Sequence, residues 1–238
     1  MGLSPFFTVH SELPREGPGE PDDVLWALDV AGTPDDCCLC DAACGPGADT
    51  LTLAQARPDA MIDAMDLQAH FVDAAKARTA HFGDRINVEQ RDYANLPGQY
   101  DLIWCAGAAY FVGYLNALEM WTKHLRPGGA IAFSEPVLVS EPISQPVLDF
   151  WGSHEALNVP KTLESLNVAG WDVLGHRVIV GAPWAAYYDP MRARIAALRA
   201  GGADAALRGA IEEAEEEITQ WEACSDEIAY GLFVVRPT

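Results

Sequence analysis

The stretch Cys37-Cys-Leu-Cys-Asp41-Ala-Ala-Cys44-Gly45-Pro46-Gly47-Ala-Asp49-Thr50-Leu-Thr-Leu53 constrains the fold most. It reads as a short apolar strand ending at Asp41, a glycine turn and the start of a helix. Gly45 and Gly47 permit a tight turn and the close approach of a ligand to bare backbone. Asp41 places a carboxylate at the strand's carboxyl end, where open α/β sheets bind ligands.

A dinucleotide fold wants a third glycine and a helix N-terminus free to meet pyrophosphate. Here Thr50 replaces that glycine and Asp49 adds negative charge where a phosphate would sit. Both features favour a ligand without phosphates. S-adenosylmethionine fits, because it carries a sulfonium, an ammonium and a ribose. Strand two, Ala60 to Ala69, holds Asp66 about twenty residues beyond the turn, where a carboxylate accepts hydrogen bonds from ribose hydroxyls. Asp63 competes, but Asp66 occupies the strand end.

Acidic residues number 35 against 15 basic ones, a formal charge of −20. Phosphate binding needs a basic face, so nucleic acid is excluded as a partner, and anionic membrane surfaces are disfavoured. No stretch reaches the roughly 18–20 apolar residues of a membrane span, and the N-terminus lacks a signal peptide's basic and apolar regions. These features lead us to expect a cytoplasmic protein, with homo-oligomer formation left open. Cys37, Cys40 and Cys44 invite a metal reading. Strand residues three apart point to opposite faces, and a fourth ligand is missing, so no metal is expected and the cysteines read as small buried hydrophobes.

Helices alternate with strands along the chain. A helix opens at Pro21 with Glu20 at its cap, carries Val24, Leu25, Leu28 and Val30 on its apolar side and ends at Gly32. Another, Gln68 to His81, presents Phe71, Ala74, Ala75 and Ala80. Strand three starts at Ile86 and leaves through Asp92-Tyr93; strand four is Tyr100 to Cys105, followed by a loop to Tyr110. Leu125-Arg-Pro-Gly-Gly129 is a helix stop and chain reversal before a strand, Ala130 to Glu135, with Glu135 at its carboxyl end. Trp171 to Val180 is strand six, and Ile228 to Arg236 the last strand. Between them lie two apolar stripes, Tyr187, Met191, Ile195, Leu198 and Leu207, Ile211, Ala214, Ile218, Trp221. Asp189-Pro190 reads as a helix start, and the acids of Glu212 to Glu217 as a solvated face spread around the helix.

The motif Asp41-Ala-Ala-Cys44-Gly45-Pro46-Gly47 resembles the first motif of class I S-adenosylmethionine-dependent methyltransferases. The resemblance covers about residues 35–136 in order: the glycine turn, Asp66, Asp92, the strand-four loop, then Arg-Pro-Gly-Gly. One usual glycine is absent, since Ala42-Ala43-Cys44 stands where Ile-Gly-Cys is common. The resemblance implies an α/β fold, a doubly wound, mostly parallel seven-stranded sheet whose last strand is antiparallel. It also implies a single domain: an N-terminal arm and helix (1–34), cofactor core (35–136), mouth segment and strand six (137–181), helical lid insert (182–226) and last strand (227–238). An antiparallel last strand brings that insert to the ligand edge of the sheet.

On this resemblance S-adenosylmethionine would lie against Asp41, Cys44, Gly45, Pro46 and Gly47, with Asp66 and Leu67 at the ribose. Asp92 and the Tyr93 N–H would meet the adenine edge, and Ala106 and Gly107 the methionine part. S-adenosylhomocysteine would be the product. The Gly17-Pro18-Gly19 arm would fold over the mouth, with Arg15 facing a carboxylate of cofactor or acceptor. A small-molecule O, N or C nucleophile would bind near Tyr110, Glu135, Trp151, Trp184, Tyr187 and Tyr188. If a general base is used, Glu135, Tyr110 and His154 are the candidates. The alternatives are a non-catalytic S-adenosylmethionine-binding protein and an NAD-dependent oxidoreductase.

Overall fold

The structure is a computed structural model and describes residues 2–152 and 156–238. Its centre is β1, Cys38–Ala42, flanked by β2, Met61–Asp66, on one side and β4, Tyr100–Cys105, on the other, all parallel. With β3 (Ile86–Gln90), β5 (Leu125–Leu138), β7 (Trp171–Val180) and β8 (Ile228–Pro237), the sheet order is β3-β2-β1-β4-β5-β8-β7. A two-residue strand, β6 (Leu157–Asn158), adds to β5. Only β8 is antiparallel to its neighbours, pairing with β5 and β7. The chain is thus a doubly wound, mostly parallel sheet with an antiparallel last strand, extended by the short β6.

Strand order reverses between β1 and β4, and that switch point leaves a crevice outside their carboxyl ends. Helices cover both faces. One face holds α2 (Pro21–Ala31), α3 (Ala48–Ala56) and α4 (Ala69–Thr79) against Leu39, Ile62 and Leu102. The other holds α5 (Tyr114–Thr122) and α7 (Val159–Val168) over Ile103, Ile131 and Phe133, with Trp121 and Leu166 fully buried. The cysteines follow the strand's two-residue period: Cys37 joins one core cluster, Cys40 the opposite one and Cys44 a third. Burial pushes the Cys37 thiol up to about 11 and those of Cys40 and Cys44 further still.

The chain between β7 and β8 forms α8 (Ala182–Ala200) and α9 (Ala205–Ala223). Because β7 runs parallel to β5 and β8 returns, both helices sit at the edge where β1 and β4 end. Their stripes turn inward: Tyr187, Met191, Ile195, Ile211, Ile218 and Trp221 are buried. An N-terminal helix, α1 (Pro5–Val9), packs on both. Arg194 of α8 staples it there, reaching Glu12 at 2.6 Å, Ser11 Oγ at 2.9 Å and the Thr8 carbonyl at 3.3 Å.

Local expectations fail in four places. Pro190 does not start a helix; it lies inside α8, which begins after Gly181. Arg126 to Gly129 are not a separate turn but the start of β5. There Leu125 opposes Tyr100 while Ala130 opposes Leu102, so the intervening residues bulge out of register. Leu25, Ala74 and Ala80 are exposed; Ala27 on α2 and Val72 on α4 take inward positions instead, and Ala75 is buried as expected. The acids of Glu212 to Glu217 form a solvated face as expected but do not spread evenly: Glu212, Glu213, Glu216 and Glu217, all exposed, share one side of α9 and line a cavity described below, while Glu215 stands apart on Arg199. Among the described residues, no helix is long and apolar enough to cross a membrane.

Gly47 adopts φ +81°, and a Cβ there would lie 2.8 Å from the Cβ and 2.9 Å from the Cα of Ala75 on α4. Gly47→Ala therefore combines left-handed strain with a clash against backbone and is expected to cost at least about 2 kcal/mol. That lowers the thermal midpoint by about 4–8 °C. Gly83→Ala, also at positive φ but with nothing within 4 Å, should show the strain part alone in the same melting experiment.

Candidate active site

The crevice at the switch point is a cavity of about 480 Å³. Its floor is the β1–α3 turn, where Asp41, Cys44, Gly45 and Pro46 line it. Asp41 is buried, and Thr50 Oγ1 donates to its Oδ2 at 2.5 Å. Thr50 thus does chemical duty at the position where a dinucleotide motif has its last glycine. Burial, with Asp49 close by, pushes the Asp41 carboxyl up to about 8. Gly47 does not itself line the cavity; it lets α3 turn away against α4.

Asp66 ends β2 at the cavity wall. Its Oδ2 accepts from the Gly45 N–H at 3.0 Å and its Oδ1 from the Gln68 N–H at 2.8 Å. Burial raises its pKa while those two N–H donors oppose the rise. Asp63 faces elsewhere, accepting from Tyr100 Oη at 2.8 Å and Asn87 at 3.0 Å. Leu67, Tyr93, Ala106 and Gly107 complete this side. The Gly107 N–H is held by Ser134 Oγ at 2.7 Å, which fixes the strand-four loop.

Asp92 is a correction. It is exposed, absent from the lining, and its Oδ1 accepts from the Ala94 N–H at 2.8 Å. The carboxylate curls onto its own turn, as Asp does where backbone donors lie two residues ahead. Arg15 lines the cavity, but the carboxylate it meets is protein: Nη2 pairs with Asp49 Oδ1 at 2.9 Å and Nη1 with the Gly19 carbonyl. Trp104 Nε1 donates to the other Asp49 oxygen at 3.2 Å. Asp49 is therefore neutralised within the wall. Arg15 Nε is buried without a hydrogen-bond partner.

A second cavity, about 640 Å³, lies beside the first under α6 (Gln145–Trp151), α8 and α9. It collects Tyr110, Trp151, Trp184, Tyr187 and Tyr188 from the expected acceptor residues. Tyr110, Glu16, Gly17 and Pro18 line both cavities, so they form the wall between them. Tyr230 Oη donates to Tyr110 Oη at 3.4 Å.

Glu135 is a second correction. The strand runs on to Leu138, so Glu135 lies inside it, on the face shared with Phe133 and Val137, and it lines neither cavity. Burial pushes its carboxyl up to about 8. His154 lies outside the described residues. Residues not foreseen are Glu16, Phe7, Phe71, Arg91 and Trp104. Alternation along β4 puts Trp104 with Leu102 and would have found it; Glu16 had only its neighbourhood to Arg15 and the arm as a signal.

The donor set fits the sulfonium cofactor. Asp66 and Glu16 offer carboxylates, Asp41 a protonated carboxyl, Gly45 and Gly107 bare backbone, and Leu67, Phe71 and Tyr93 apolar surface. Arg15 offers a buried, unused N–H among the described residues.

Residues 39–129 match a family described as a methyltransferase domain. A trans-aconitate 2-methyltransferase of Mycolicibacterium gilvum is 33% identical over 117 residues, covering 48% of this chain and 44% of the relative. One from Deinococcus radiodurans is 32% identical over 97 residues, covering 40% and 36%. The chain thus spans less than half the length of these curated relatives. Among solved structures, a SAM-dependent methyltransferase from Geobacter sulfurreducens in complex with S-adenosyl-L-homocysteine superposes with a TM-score of 0.88. It is 20% identical, with 99% of each chain covered. A Thiobacillus denitrificans counterpart gives 0.88 at 19% identity, with 100% of each chain covered. At that identity the likeness is one of fold.

The raised Asp41 has a pH signature. An Asp near 3.9 when unfolded and about 8 when folded costs nothing below pH 4, where both states hold the proton. As pH rises from 4 to 8 the unfolded state loses the proton first, so stability falls, and above 8 the full cost is present. Asp41→Asn removes this dependence. In denaturant titrations of ligand-free protein, the variant should gain on the wild type steadily between pH 4 and 8, and a constant difference would contradict the assignment.

Proposed function

We propose that this chain, whose residues 39–129 match a methyltransferase-domain family, is an S-adenosylmethionine-dependent enzyme that methylates a small molecule held in its second cavity. The observation that supports this most is the shared wall. Two cavities, one suited to the cofactor and one to an acceptor, meet at Tyr110, Glu16, Gly17 and Pro18. A protein that only binds the cofactor has no use for an aromatic chamber of about 640 Å³ beside it. The dinucleotide reading loses support because the Gly45 N–H of the turn, where a pyrophosphate would sit, is already taken by the Asp66 carboxylate.

S-adenosylmethionine supplies an electrophilic methyl group, and an acceptor lone pair forms the new bond as the carbon–sulfur bond breaks with its electrons passing to sulfur. The chain's residues prepare that event. Asp66 takes the ribose hydroxyls on oxygen atoms already oriented by Gly45 and Gln68. Gly45 presents backbone to the amino-acid part, and Ala106 and Gly107 lie beside it. Tyr110, held by Tyr230, stands where the two ligands meet. The arm and α8, joined through Arg194, flank the chamber. Alignment of this kind supplies much of the acceleration in bimolecular transfers, so a dedicated base is not required by the geometry.

The acceptor does not follow from the relatives. The family match ends at residue 129, before α6, α8 and α9, which build most of the second cavity. Calorimetry with S-adenosylmethionine, S-adenosylhomocysteine and NADH tests the cofactor. The sulfonium pair should bind and NADH should not. Asp66→Ala should weaken that binding by about ten- to a hundred-fold, the worth of hydrogen bonds to a charged group. A folded protein that binds none of them would sink the proposal.

A further inference from the structure

The second cavity has a chemistry of its own. Its inner end is aromatic: Trp184, Tyr187, Tyr188 and Tyr230 line it, all of them buried. Trp184 and Tyr230 stand 5.0 Å apart by ring centroid, and Trp151 stacks on Tyr230 at 6.0 Å and 25°. Above this box, one face of α9 presents Glu212, Glu213, Glu216 and Glu217, and the arm adds Glu16. Among the described residues no Lys, Arg or His lines the cavity.

The acids are not arranged for stability. Glu212 and Glu216, and likewise Glu213 and Glu217, are like charges four apart on a helix, an arrangement that destabilises it. Glu215 and Glu222 of the same helix pair with cations, Arg199 and Arg192, each at 2.6 Å, whereas Glu216 accepts from the uncharged Gln220 amide at 3.1 Å. Glu217 accepts from the buried Tyr188 hydroxyl at 2.9 Å, which ties the acidic rim to the aromatic box. The chain's general acidity explains acids on a surface, but not their gathering over a box of ring faces. Ring faces are negative and attract cations, most strongly where water is excluded. Glu16 reinforces the sign at the wall with the cofactor cavity: its Oε2 is held by His10 Nδ1 at 2.8 Å, and its Oε1 is buried with no hydrogen-bond partner.

We propose that the second cavity recognises a small organic cation, an amine with an apolar body, through its aromatic box and the carboxylates of α9 and Glu16. This rests on the reading of that cavity as the acceptor site. The same charges reject a polycarboxylate, so the substrate in the names of the trans-aconitate relatives should not bind here.

The test separates recognition from the cofactor. Benzyltrimethylammonium, which has no lone pair to methylate, serves as a pure binding probe beside its uncharged carbon isostere, neopentylbenzene, and beside trans-aconitate. Each is titrated by tryptophan fluorescence against the full chain, with and without S-adenosylhomocysteine. The ammonium probe should bind at least about ten-fold more tightly than the isostere, and trans-aconitate should not bind. Glu213→Gln with Glu216→Gln, both on exposed helix positions, should weaken the ammonium about ten-fold and leave S-adenosylhomocysteine binding unchanged. Equal binding of ammonium and isostere, binding of trans-aconitate, or indifference to the glutamines would overturn the proposal. If the homocysteine product binds and the ammonium does not, the cation reading alone fails. If the ammonium binds and the product does not, the cofactor reading fails and the cation site stands.

Discussion

Everything at the mouth of the sheet depends on a contact between a hydrogen and a methyl group. Gly47 can turn left-handed and let α3 leave β1 only because it carries no Cβ, and Ala75 on α4 fills the space one would need. The contact sets the separation of α3 and α4. With it are set the direction of Thr50 toward Asp41 and the position of Gly45, whose N–H meets Asp66. Two carboxyls from neighbouring strands are thereby brought to one turn and held by donors from that turn.

Gathering acids in a wall is costly, and the structure divides the cost between two solutions. Asp49 is matched by partners, Arg15 on one oxygen and Trp104 on the other. Asp41 is left nearly alone in the interior and holds its proton instead. Asp66 sits between these extremes, partly exposed and supported by backbone N–H groups. A charged ligand therefore meets one carboxylate free to answer it, not three competing ones.

Much of this was legible in the sequence. The order of strands, the turn and Asp66 follow from hydrophobic runs and glycine positions, which depend on local chemistry and repeat spacing. The inward stripes of α8 and α9 follow from helical periodicity, and the antiparallel last strand from the resemblance that five ordered motifs carry. What failed depended on information that no local window contains. Asp92 and Asp66 look alike at the ends of their strands, and each accepts from the N–H two residues ahead; what separates them is the glycine turn, whose Gly45 N–H meets the second oxygen of Asp66 at the cavity while Asp92 lies exposed. Pro190 looks like a helix start, yet packing of Tyr187, Tyr188 and Met191 carries α8 through it. Glu135 reads as a strand end because an acid interrupts the apolar run, yet pairing with β8 carries β5 on through the buried Val137 to Leu138. The acids of α9 acquire meaning only from the rings opposite them, which come from four separate segments.

The arm that closes the molecule is fastened at both ends of its span: to α8 through Arg194, and to the cofactor wall through Arg15 and through Arg78 at the Pro14 carbonyl, 2.5 Å away. Since the same three residues, Glu16 to Pro18, face both cavities, neither chamber can be opened by moving them without opening the other. Two ligands that met there, as methyl transfer requires, would both bear on this strip, and a first ligand that settled it would spare the second that entropic cost. Linkage makes such a saving equal in both directions, which would turn a strip of three residues into the cooperative hinge of a ternary complex.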